Sequence, residues 1–524
     1  GIYGAQMILY AVLGGLCGVA SAGFGSASSQ YFANDLRCDA FSRVMFMSPE
    51  QTDKFTTGSL ITRITNDISQ VQNFVSMALR MCVRTVLLFG GSIYYALKLD
   101  VNFGLVILVS LPIQLIIVVF FMGKASPLFG VVQDKLDRVN SVVRENISGA
   151  RVVKAYVREE HEIDRFDKAN KDLCDMTYKV SKIMATMMPL VMIVMNFTVI
   201  AIIRVGGGLV AEGSMQAGEV MAAITYVTQI LMSIMMISMM FQMVSRAMAS
   251  AKRIEEVLDT YPVIASGEAE LDGSIDKIEF RDVDFSYPGS SGRPVLCGVN
   301  LEINKGETVA ILGSTGAGKT SLVSLIARYY DPVGGEILVN GRNVKDFTLD
   351  SLRSKVGYVL QKSELFSGTI ADNIRWGKAD ATDEEVRECA RIAQADDFIT
   401  SFNEGYDTVI GEKGASLSGG QKQRLSIARS IMKRPEVLIF DDSTSALDLG
   451  TEARLQKALR DDLAGTTVIL IAQRIASVMN ADRIIVLDKG EVAACGTHEE
   501  LLETSSVYRD IYDSQMRKED DGNE

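Results

Sequence analysis

The stretch TVAILGSTGAGKTS, residues 308–321, joins an apolar run to a glycine-rich loop and a Lys-Thr pair. A short apolar run bounded by glycine is typical of a buried strand, and the residues after Lys319 are typical of a helix. Gly313, Gly316 and Gly318 allow backbone N–H groups to curl around phosphate oxygens, and the helix N-terminus that follows attracts anions. The stretch therefore predicts a strand–loop–helix unit that binds nucleotide phosphates.

The loop predicts a role for its charged and hydroxyl side chains. Lys319 is expected to reach the β- and γ-phosphates, and the Thr320 hydroxyl is expected to face Mg²⁺. Asp441 ends the apolar run EVLIF at a position suited to ordering the Mg²⁺ shell. The nucleotide-binding residues predicted from the loop are Gly313, Ser314, Thr315, Gly316, Ala317, Gly318, Lys319, Thr320 and Ser321.

Short apolar runs continue on both sides of the loop. They are separated by helical stretches, as in an α/β domain with a largely parallel sheet. The runs are ETVAIL, EVLIF, TTVILIA and RIIVL, with KIEFRDVDFSY as a half-buried strand before them. The predicted fold of this part is an α/β P-loop domain.

The first 250 residues have a different composition. Five apolar stretches each approach the ~20 residues that a helix needs to cross a bilayer. They are, roughly, Ala5–Phe32, Val75–Leu97, Val101–Met122, Met184–Val210 and Glu219–Met243. Five such runs exceed what soluble domains contain, so we predict a membrane α-helical bundle.

The segments between the spans set the topology. Lys and Arg gather in the long segments 34–74 and 123–183, so the positive-inside rule places these two segments in the cytoplasm. The first span then enters from outside, and a preceding span, missing here, is expected. The predicted domains are a transmembrane domain at 1–260, a linker at 261–274, a nucleotide-binding domain at 275–514 and a disordered acidic tail at 515–524.

Composition excludes several classes of protein. A net charge of −12 argues against a nucleic-acid partner, because phosphate contacts need clustered Lys and Arg. The seven cysteines form no CxxC pair, and with two histidines they make a zinc site improbable and favour a reducing compartment. Hydrophobic residues at 48% beside charged residues at 23% fit a membrane domain joined to a water-exposed one.

The stretch LSGGQKQRLSIARSIMKRP, residues 417–435, places Ser418, Gly419, Gly420 and Gln421 at a second helix N-terminus. With the phosphate loop it resembles the nucleotide-binding domain of ATP-binding cassette (ABC) transporters, and the five spans resemble the exporter-type membrane domain. In that family two domains stack head to tail, and the phosphate loop of one subunit faces the LSGGQ of the other across a shared ATP. The resemblance implies ATP and Mg²⁺ as cofactors and a second half-transporter as partner.

The resemblance also implies roles for residues outside the loop. Tyr287 matches the aromatic residue that stacks on adenine, and Gln361 matches the glutamine that touches Mg²⁺, with Thr320 and Asp441 as further metal ligands. Ser445 to Asp448, the sequence SALD, matches the loop that crosses between subunits.

Three further segments resemble parts that connect nucleotide and membrane domains in exporters. GEKG, residues 411–414, matches a segment that contacts the opposite membrane domain. The stretch from Ser48 to Phe55 resembles the first coupling helix, and the second is expected near Tyr156–Glu159.

Two residues depart from the family pattern. Asp442 stands where the catalytic Glu is expected, and Gln473 stands where the switch His is expected. Neither His161 nor His498 lies where it can replace the switch residue. A carboxylate one methylene shorter misplaces the attacking water, and a neutral amide cannot offer the charge-assisted bond of an imidazolium.

Both departures affect hydrolysis and leave the phosphate loop and LSGGQ intact. The pattern resembles heterodimeric exporters, in which one ATP site is degenerate and the other, completed by the partner's Glu and His, turns over. We predict that Asp442 and Gln473 belong to the degenerate site and that the chain alone hydrolyses ATP slowly. An active homodimer that tolerates both residues is the alternative.

The sequence leaves the cargo open. The leading interpretation is an ATP-driven exporter of an amphipathic or apolar compound in a bacterial cytoplasmic membrane. The alternatives are a lipid, lipopeptide or peptide exporter, a siderophore importer on the same fold, and a regulatory or gating subunit. Methionines concentrate in the last two spans, and flexible thioethers suit varied apolar ligands, although ordinary helix packing also accounts for them. They are Met184, Met187, Met188, Met192, Met195, Met232, Met235, Met236, Met239, Met240 and Met243.

Overall fold

The structure, a computed structural model, describes residues 2–290 and 292–520, and within them it does not describe the side chains of 238–239, 241–242 and 516–520. Contacts divide the chain into two compact units. One comprises Gly1–Met45 with Gly58–Thr260, and the other comprises Phe46–Thr57 with Tyr261–Glu524. Residues 521–524 of the predicted tail and the side chain of Met239 lie outside the described part.

Long helices form the first unit, because both its apolar runs and its charged segments contain few helix breakers. Two π-helical turns, Arg63–Asp67 and Ala78–Cys82, join three of these helices into a continuous rod from Thr57 to Leu99. The helices of the amino-terminal half, of which α2 belongs to the second unit, are α1 (Ile2–Met45), α2 (Pro49–Phe55), α3 (Thr57–Thr62), α4 (Ile68–Met77), α5 (Val83–Leu99), α6 (Val101–Ser148), α7 (Ala150–Ala155), α8 (Glu159–Ala211) and α9 (Ala217–Leu258).

Within the described ranges, five helical segments are long and apolar enough to cross a membrane. They are Ile2–Met45, Thr57–Leu99, Val101–Ser148, Glu159–Ala211 and Ala217–Ile237. The five predicted apolar stretches coincide with these segments, and the prediction of a helical membrane domain is confirmed. The 48 residues of α6 rise about 70 Å at about 1.5 Å per residue. Since a hydrocarbon core is about 30 Å thick, this helix extends well beyond the bilayer.

A buried carboxylate connects the Thr57–Leu99 rod to α9. Asp67 is 4% exposed and accepts hydrogen bonds from Ser250 Oγ at 2.9 Å and from Arg253 Nε at 2.8 Å. Apolar side chains of α1, α4 and α9, Ala33, Ile68 and Ile254 among them, pack around this contact. A buried charge is tolerated only when it is paired, so the Asp67 contact fixes which faces of these helices meet.

The second unit alternates strands with helices after α2. Its strands are β1 (Lys277–Phe285), β2 (Leu296–Asn304), β3 (Thr308–Gly313), β4 (Gly334–Val339), β5 (Arg342–Asn343), β6 (Val356–Val359), β7 (Gly368–Thr369), β8 (Val409–Ile410), β9 (Val437–Asp441), β10 (Thr467–Ile471), β11 (Arg483–Asp488) and β12 (Glu491–Gly496). Its other helices are α10 (Lys319–Ile326), α11 (Leu349–Lys355), α12 (Ile370–Arg375), α13 (Asp383–Ile392), α14 (Asp396–Thr400), α15 (Gly419–Met432), α16 (Leu449–Asp462), α17 (Ile475–Val478), α18 (His498–Thr504) and α19 (Ser506–Asp520).

The central sheet has six strands in the order β12-β11-β3-β10-β9-β6. Neighbouring strands of this sheet pair in parallel, except that β11 and β12 are antiparallel. A second sheet is antiparallel and has the strand order β2-β1-β4-β5. Every residue of β9 and of β10 is buried, because one face of the central sheet packs against helices and the other packs against α10 and the antiparallel sheet. The predicted α/β class with a largely parallel sheet is confirmed.

The carboxyl-terminal helix corrects one prediction. The backbone of 515–520 is helical in α19, whereas the sequence predicts disorder from residue 515 onward. The prediction of disorder rested on the acidic composition of this segment. The helix is held instead by packing near its start, where Tyr508 is fully buried and its hydroxyl contacts His498 Nδ1 at 2.6 Å.

We predict that Asp67→Ala destabilises the first unit by about 2–3 kcal/mol, since it leaves the polar groups of Ser250 and Arg253 without their buried acceptor. The midpoint of thermal unfolding of the purified chain in detergent should fall by several degrees. Asp164→Ala, which removes an exposed pair with Lys168 on α8, is the matched control and should change the midpoint little. Equal shifts for both variants would contradict the importance given to the buried pair.

Candidate nucleotide-binding site

The phosphate loop lies between β3 and α10, as its sequence predicts. Gly316 and Gly318 have φ of 83° and 97°, a left-handed backbone that glycine adopts without strain. Lys319 Nζ donates to the carbonyl oxygens of Gly313 at 2.8 Å and Ser314 at 2.9 Å, so the lysine closes over its own loop. Burial lowers the pKa of the Lys319 ammonium, and the charges of Asp442 and Asp441 oppose that shift.

Asp441 lies at the end of β9, beside the first turn of α10. Its Oδ1 accepts from Thr320 Oγ1 at 2.7 Å, and its Oδ2 accepts from Tyr358 Oη at 3.1 Å. Burial raises the pKa of the Asp441 carboxyl; the hydrogen bonds from Thr320 and Tyr358 oppose this shift, and the charge of Asp442 adds to it. Tyr358 on β6 was missed by sequence reasoning, since a tyrosine inside an apolar strand carries no motif.

The oxygen ligands of this corner fit a magnesium ion. Mg²⁺ prefers hard oxygen donors and is usually held by one or two carboxylates together with substrate phosphates and water. The Thr320 hydroxyl and the Asp441 carboxylate, already 2.7 Å apart, offer such donors. In the part of the chain that the structure describes, no group of three or more His, Cys, Asp or Glu side chains is placed to hold a metal ion.

Asp442 has a different environment from its neighbour. Its Oδ2 accepts two amide hydrogens, from Gln361 Nε2 at 3.1 Å and from Gln473 Nε2 at 2.7 Å. Its backbone has φ of 47°, and its N–H donates to the carbonyl of Ile471 at 3.2 Å. The structure therefore brings the three predicted residues together, with both glutamines on one oxygen of the carboxylate.

The LSGGQ residues form the start of α15. Ser418 Oγ accepts from the N–H of Gln421 at 3.3 Å, and Gln421 Oε1 accepts from the N–H of Ser418 at 2.9 Å. This capping box defines the helix end. A Cβ on Gly420 would lie 3.1 Å from the carbonyl oxygen of Ala446, so the glycine permits close contact with the SALD loop.

The SALD loop connects α15 with the carboxylates. Gln423 Oε1 accepts from the N–H of Ala446 at 3.2 Å, and Ser445 Oγ donates to the carbonyl of Asp442 at 3.0 Å. Asp448 caps α16 by accepting from the N–H of Thr451 at 2.8 Å. Two hydrogen bonds through the SALD loop therefore link α15 to the backbone of Asp442.

Tyr287, the predicted adenine-stacking residue, belongs to an aromatic cluster. Its ring meets those of Phe285 and Tyr330 edge to face, and its hydroxyl lies 2.9 Å from Ser321 Oγ of α10. Tyr330 in turn donates to Asp53 Oδ2 at 3.4 Å. Burial, followed by the charge of Asp53, raises the pKa of Tyr330 to about 12, so the hydroxyl remains a donor at neutral pH.

Asp53 lies on α2, which occupies the predicted first coupling helix. Contacts within the second unit hold α2: Gln51 Nε2 donates to the carbonyl of Tyr261 at 2.5 Å, and Ser48 Oγ accepts from the N–H of Ile264 at 3.2 Å. The GEKG segment forms a 3₁₀ turn at Glu412–Gly414. The predicted second coupling segment, Tyr156–Glu159, is an exposed connection of three residues after α7 followed by Glu159, the first residue of α8 in the first unit.

Six of the predicted methionines line one cavity of about 220 Å³ between α6, α8 and α9. They are Met188, Met192, Met195, Met232, Met235 and Met236. Gln114 of α6 also lines it, and its Nε2 donates to the carbonyl of Leu231 at 2.8 Å. The thioethers thus form a common surface, although the sequence alone did not separate this arrangement from ordinary packing.

Comparison with known proteins extends over almost the whole chain. Residues 1–235 match the family model described as ABC transporter transmembrane region, and residues 296–445 match the model described as ABC transporter. An uncharacterized ABC transporter ATP-binding protein, YfiB of Bacillus subtilis, is 39% identical over 523 residues, which cover 99% of this chain and 90% of that protein.

Two further relatives are informative. An ATP-dependent lipid A-core flippase of Syntrophus aciditrophicus is 34% identical over 522 residues, covering 99% of this chain and 86% of the flippase. The solved structure of a bacterial Atm1-family ABC exporter with ATP bound is similar with a TM-score of 0.80 and 26% identity, covering 98% of this chain and 89% of the exporter chain.

We predict that Tyr287→Ala weakens nucleotide binding about tenfold, because stacking a base on an aromatic ring contributes about 1–3 kcal/mol. Tyr287→Phe is the matched control: it keeps the ring and loses only the contact with Ser321, so its affinity should stay within about threefold of the original. Fluorescence titration of the purified full chain with a labelled ATP analogue measures both. An unchanged nucleotide affinity in Tyr287→Ala would show that Tyr287 does not contribute to binding of the base.

Proposed function

Because the chain belongs to the ABC transporter family, as an exporter half-transporter that hydrolyses ATP, we propose that it pairs with a different half-transporter in a bacterial cytoplasmic membrane. In this pair it supplies the phosphate loop, Asp441, Asp442 and Gln473 to a slow ATP site. Its Ser418, Gly419, Gly420 and Gln421 serve the partner's competent site. The cargo is an amphipathic or apolar compound.

The observation that carries the proposal is the pair of amide bonds on Asp442 Oδ2. The amide hydrogens of Gln361 and Gln473 occupy Oδ2, so Oδ1 is the oxygen that would accept a water proton, and the Asp side chain holds it one methylene short of the position of a Glu oxygen. General-base catalysis needs the base within hydrogen-bond reach of the attacking water, and its loss typically costs about 10²–10⁴-fold. A short carboxylate engaged by two glutamines therefore supports slow hydrolysis.

The binding parts of the site support retention of ATP. Lys319 and the loop N–H groups hold the phosphates, Tyr287 stacks on the base, and Thr320, Gln361 and Asp441 are the side chains proposed to hold Mg²⁺. When bound, the metal neutralises charge on the phosphate oxygens. A site that binds well and cleaves poorly suits one half of an asymmetric pair.

The LSGGQ end supports donation to a partner. A complete capping box satisfies the N–H groups of Ser418 and Gln421 and fixes the start of α15, and the positive end of the helix dipole still favours an anion there. An intact anion-binding helix end is of little use to a chain whose own phosphate loop is elsewhere in sequence and structure. The same helix end can instead bind the phosphates of an ATP that is held by a second chain.

The cargo is inferred from the methionine cavity and from the relatives. Methionine side chains adapt to ligands of different shape, which favours an apolar or amphipathic compound at the surface of α8 and α9. The similarity to the lipid A-core flippase of Syntrophus aciditrophicus makes a lipid the first alternative cargo. Peptide or lipopeptide export, siderophore import and a regulatory or gating role remain alternatives on the same fold, as does a homodimer.

We predict that the purified chain alone hydrolyses ATP far below the ~1–10 s⁻¹ common among enzymes of this kind. Asp442→Asn should change this slow rate by less than about threefold, since the carboxylate is already engaged by two amides. A steady-state phosphate-release assay in nanodiscs measures both. A rate of ~1 s⁻¹ for the unsubstituted chain, or a ~10²-fold loss in Asp442→Asn, would establish Asp442 as a working base and favour the homodimer.

We also predict different effects of two substitutions in the assembled pair. Lys319→Ala should weaken ATP binding at this chain's site and reduce transport only in part. Ser418→Ala should lower turnover more, because Ser418 serves the competent site. Hydrolysis and transport by the reconstituted pair are compared with the unsubstituted pair. A milder effect of Ser418→Ala than of Lys319→Ala would contradict the assigned division of labour.

A further inference from the structure

The loop that carries Gln473 is held from outside the recognised nucleotide motifs. Gln515 of α19 forms two hydrogen bonds with it: its Nε2 donates to the carbonyl of Gln473 at 2.8 Å, and its Oε1 accepts from the N–H of Ile475 at 2.8 Å. One primary amide thus pairs with a carbonyl and an N–H two residues apart. The contact spans 40 residues of sequence between Ile475 and Gln515.

The contact matches the chemistry of an amide side chain. The carbonyl of Gln473 needs a donor and the N–H of Ile475 needs an acceptor, and the primary amide of Gln515 carries both on one planar group. The Ile475 N–H is also the first of α17, whose N-cap residue, Arg474, makes no capping bond with its side chain. Gln515 therefore supplies the cap that the local sequence lacks.

The position of Gln515 on α19 is well defined. Tyr508, seven residues earlier, lies on the same face of the helix two turns away and is fully buried. Val507, Ile511 and Tyr512 pack beside it against the core. The packed first half of the helix thus determines where the Gln515 amide reaches.

The held loop is the one that places Gln473 on Asp442. Gln473 donates through its side chain to Asp442 Oδ2 at 2.7 Å while its backbone carbonyl accepts from Gln515. We propose that Gln515 is a positioning residue of this ATP site, and that α19 fixes the backbone of residues 473–475 so that the Gln473 amide stays at the Asp442 carboxylate. The inference goes beyond the proposed function and holds whether the site is slow or competent.

The test compares two substitutions of Gln515 in the full chain in nanodiscs. Gln515→Met has a similar length and removes both hydrogen bonds. Gln515→Glu keeps an acceptor for the Ile475 N–H and loses the donor to Gln473. Asp513→Asn, on an exposed position of the same helix, is the matched control.

Hydrogen–deuterium exchange reports the contact without reference to turnover. The peptide that contains Ile475 should exchange about three- to tenfold faster in Gln515→Met, the range for losing one neutral hydrogen bond. Gln515→Glu should retain protection at Ile475, and Asp513→Asn should match the unsubstituted chain. Unchanged exchange in Gln515→Met would overturn the proposal.

ATP hydrolysis then separates positioning from a purely structural role. Gln515→Met should change kcat in the same direction and by the same factor as Gln473→Ala, and the combined variant should show no further change, with KM for ATP and the unfolding midpoint nearly unchanged because the phosphate loop and Tyr287 still bind the nucleotide. A fall in the unfolding midpoint with no change in kcat would assign Gln515 a structural role and reject the proposal. Since each rate is compared with that of the unsubstituted chain, a fast parent would contradict the slow-site proposal alone.

Discussion

The parallel pairing of four strands is the constraint on which the nucleotide site depends. Ile471 of β10 pairs with Ile311 of β3 on one side and with Asp441 of β9 on the other. Two residues beyond that level lie Gly313 and Gln473, and Gln361 follows β6, whose Val359 pairs with Phe440. The carboxyl ends of the strands therefore deliver the phosphate loop, both carboxylates and both glutamines to one edge. A register slip of one residue would turn these side chains to the other face of the sheet.

The parts of this edge that depend on local chemistry could be predicted from the sequence. The phosphate loop, Asp441 and the five apolar helices each follow from neighbouring residues and their spacing. The hydrogen bonds of Tyr358 with Asp441 and of Gln361 with Asp442 join residues that are 83 and 81 positions apart. A local sequence pattern does not predict such contacts. The helix beyond residue 515 was missed for the same reason, because its order comes from the burial of Tyr508 and not from its acidic sequence.

The small helix α2 shows how a short insertion can belong to a distant part of the chain. It lies between two membrane helices in sequence, yet its contacts place it in the second unit with Tyr261, Ile264 and Tyr330. Tyr330 also packs against Tyr287, the residue proposed to stack on adenine. Tyr287 is thus linked to Asp53 through the single side chain of Tyr330, and α2 is continuous in sequence with a membrane helix on each side.

The replacement of imidazole by amide at position 473 has a consequence for how the site responds to acidity. Histidine is the side chain whose ordinary pKa, about 6.5, makes it titrate near neutrality, and the two histidines of the chain lie elsewhere, His161 in α8 and His498 against Tyr508. An amide keeps the same charge and the same donors from acid to alkaline conditions. The hydrogen bond that Gln473 donates to Asp442 therefore does not depend on the protonation state of the Gln473 side chain, whereas a bond donated by an imidazolium does.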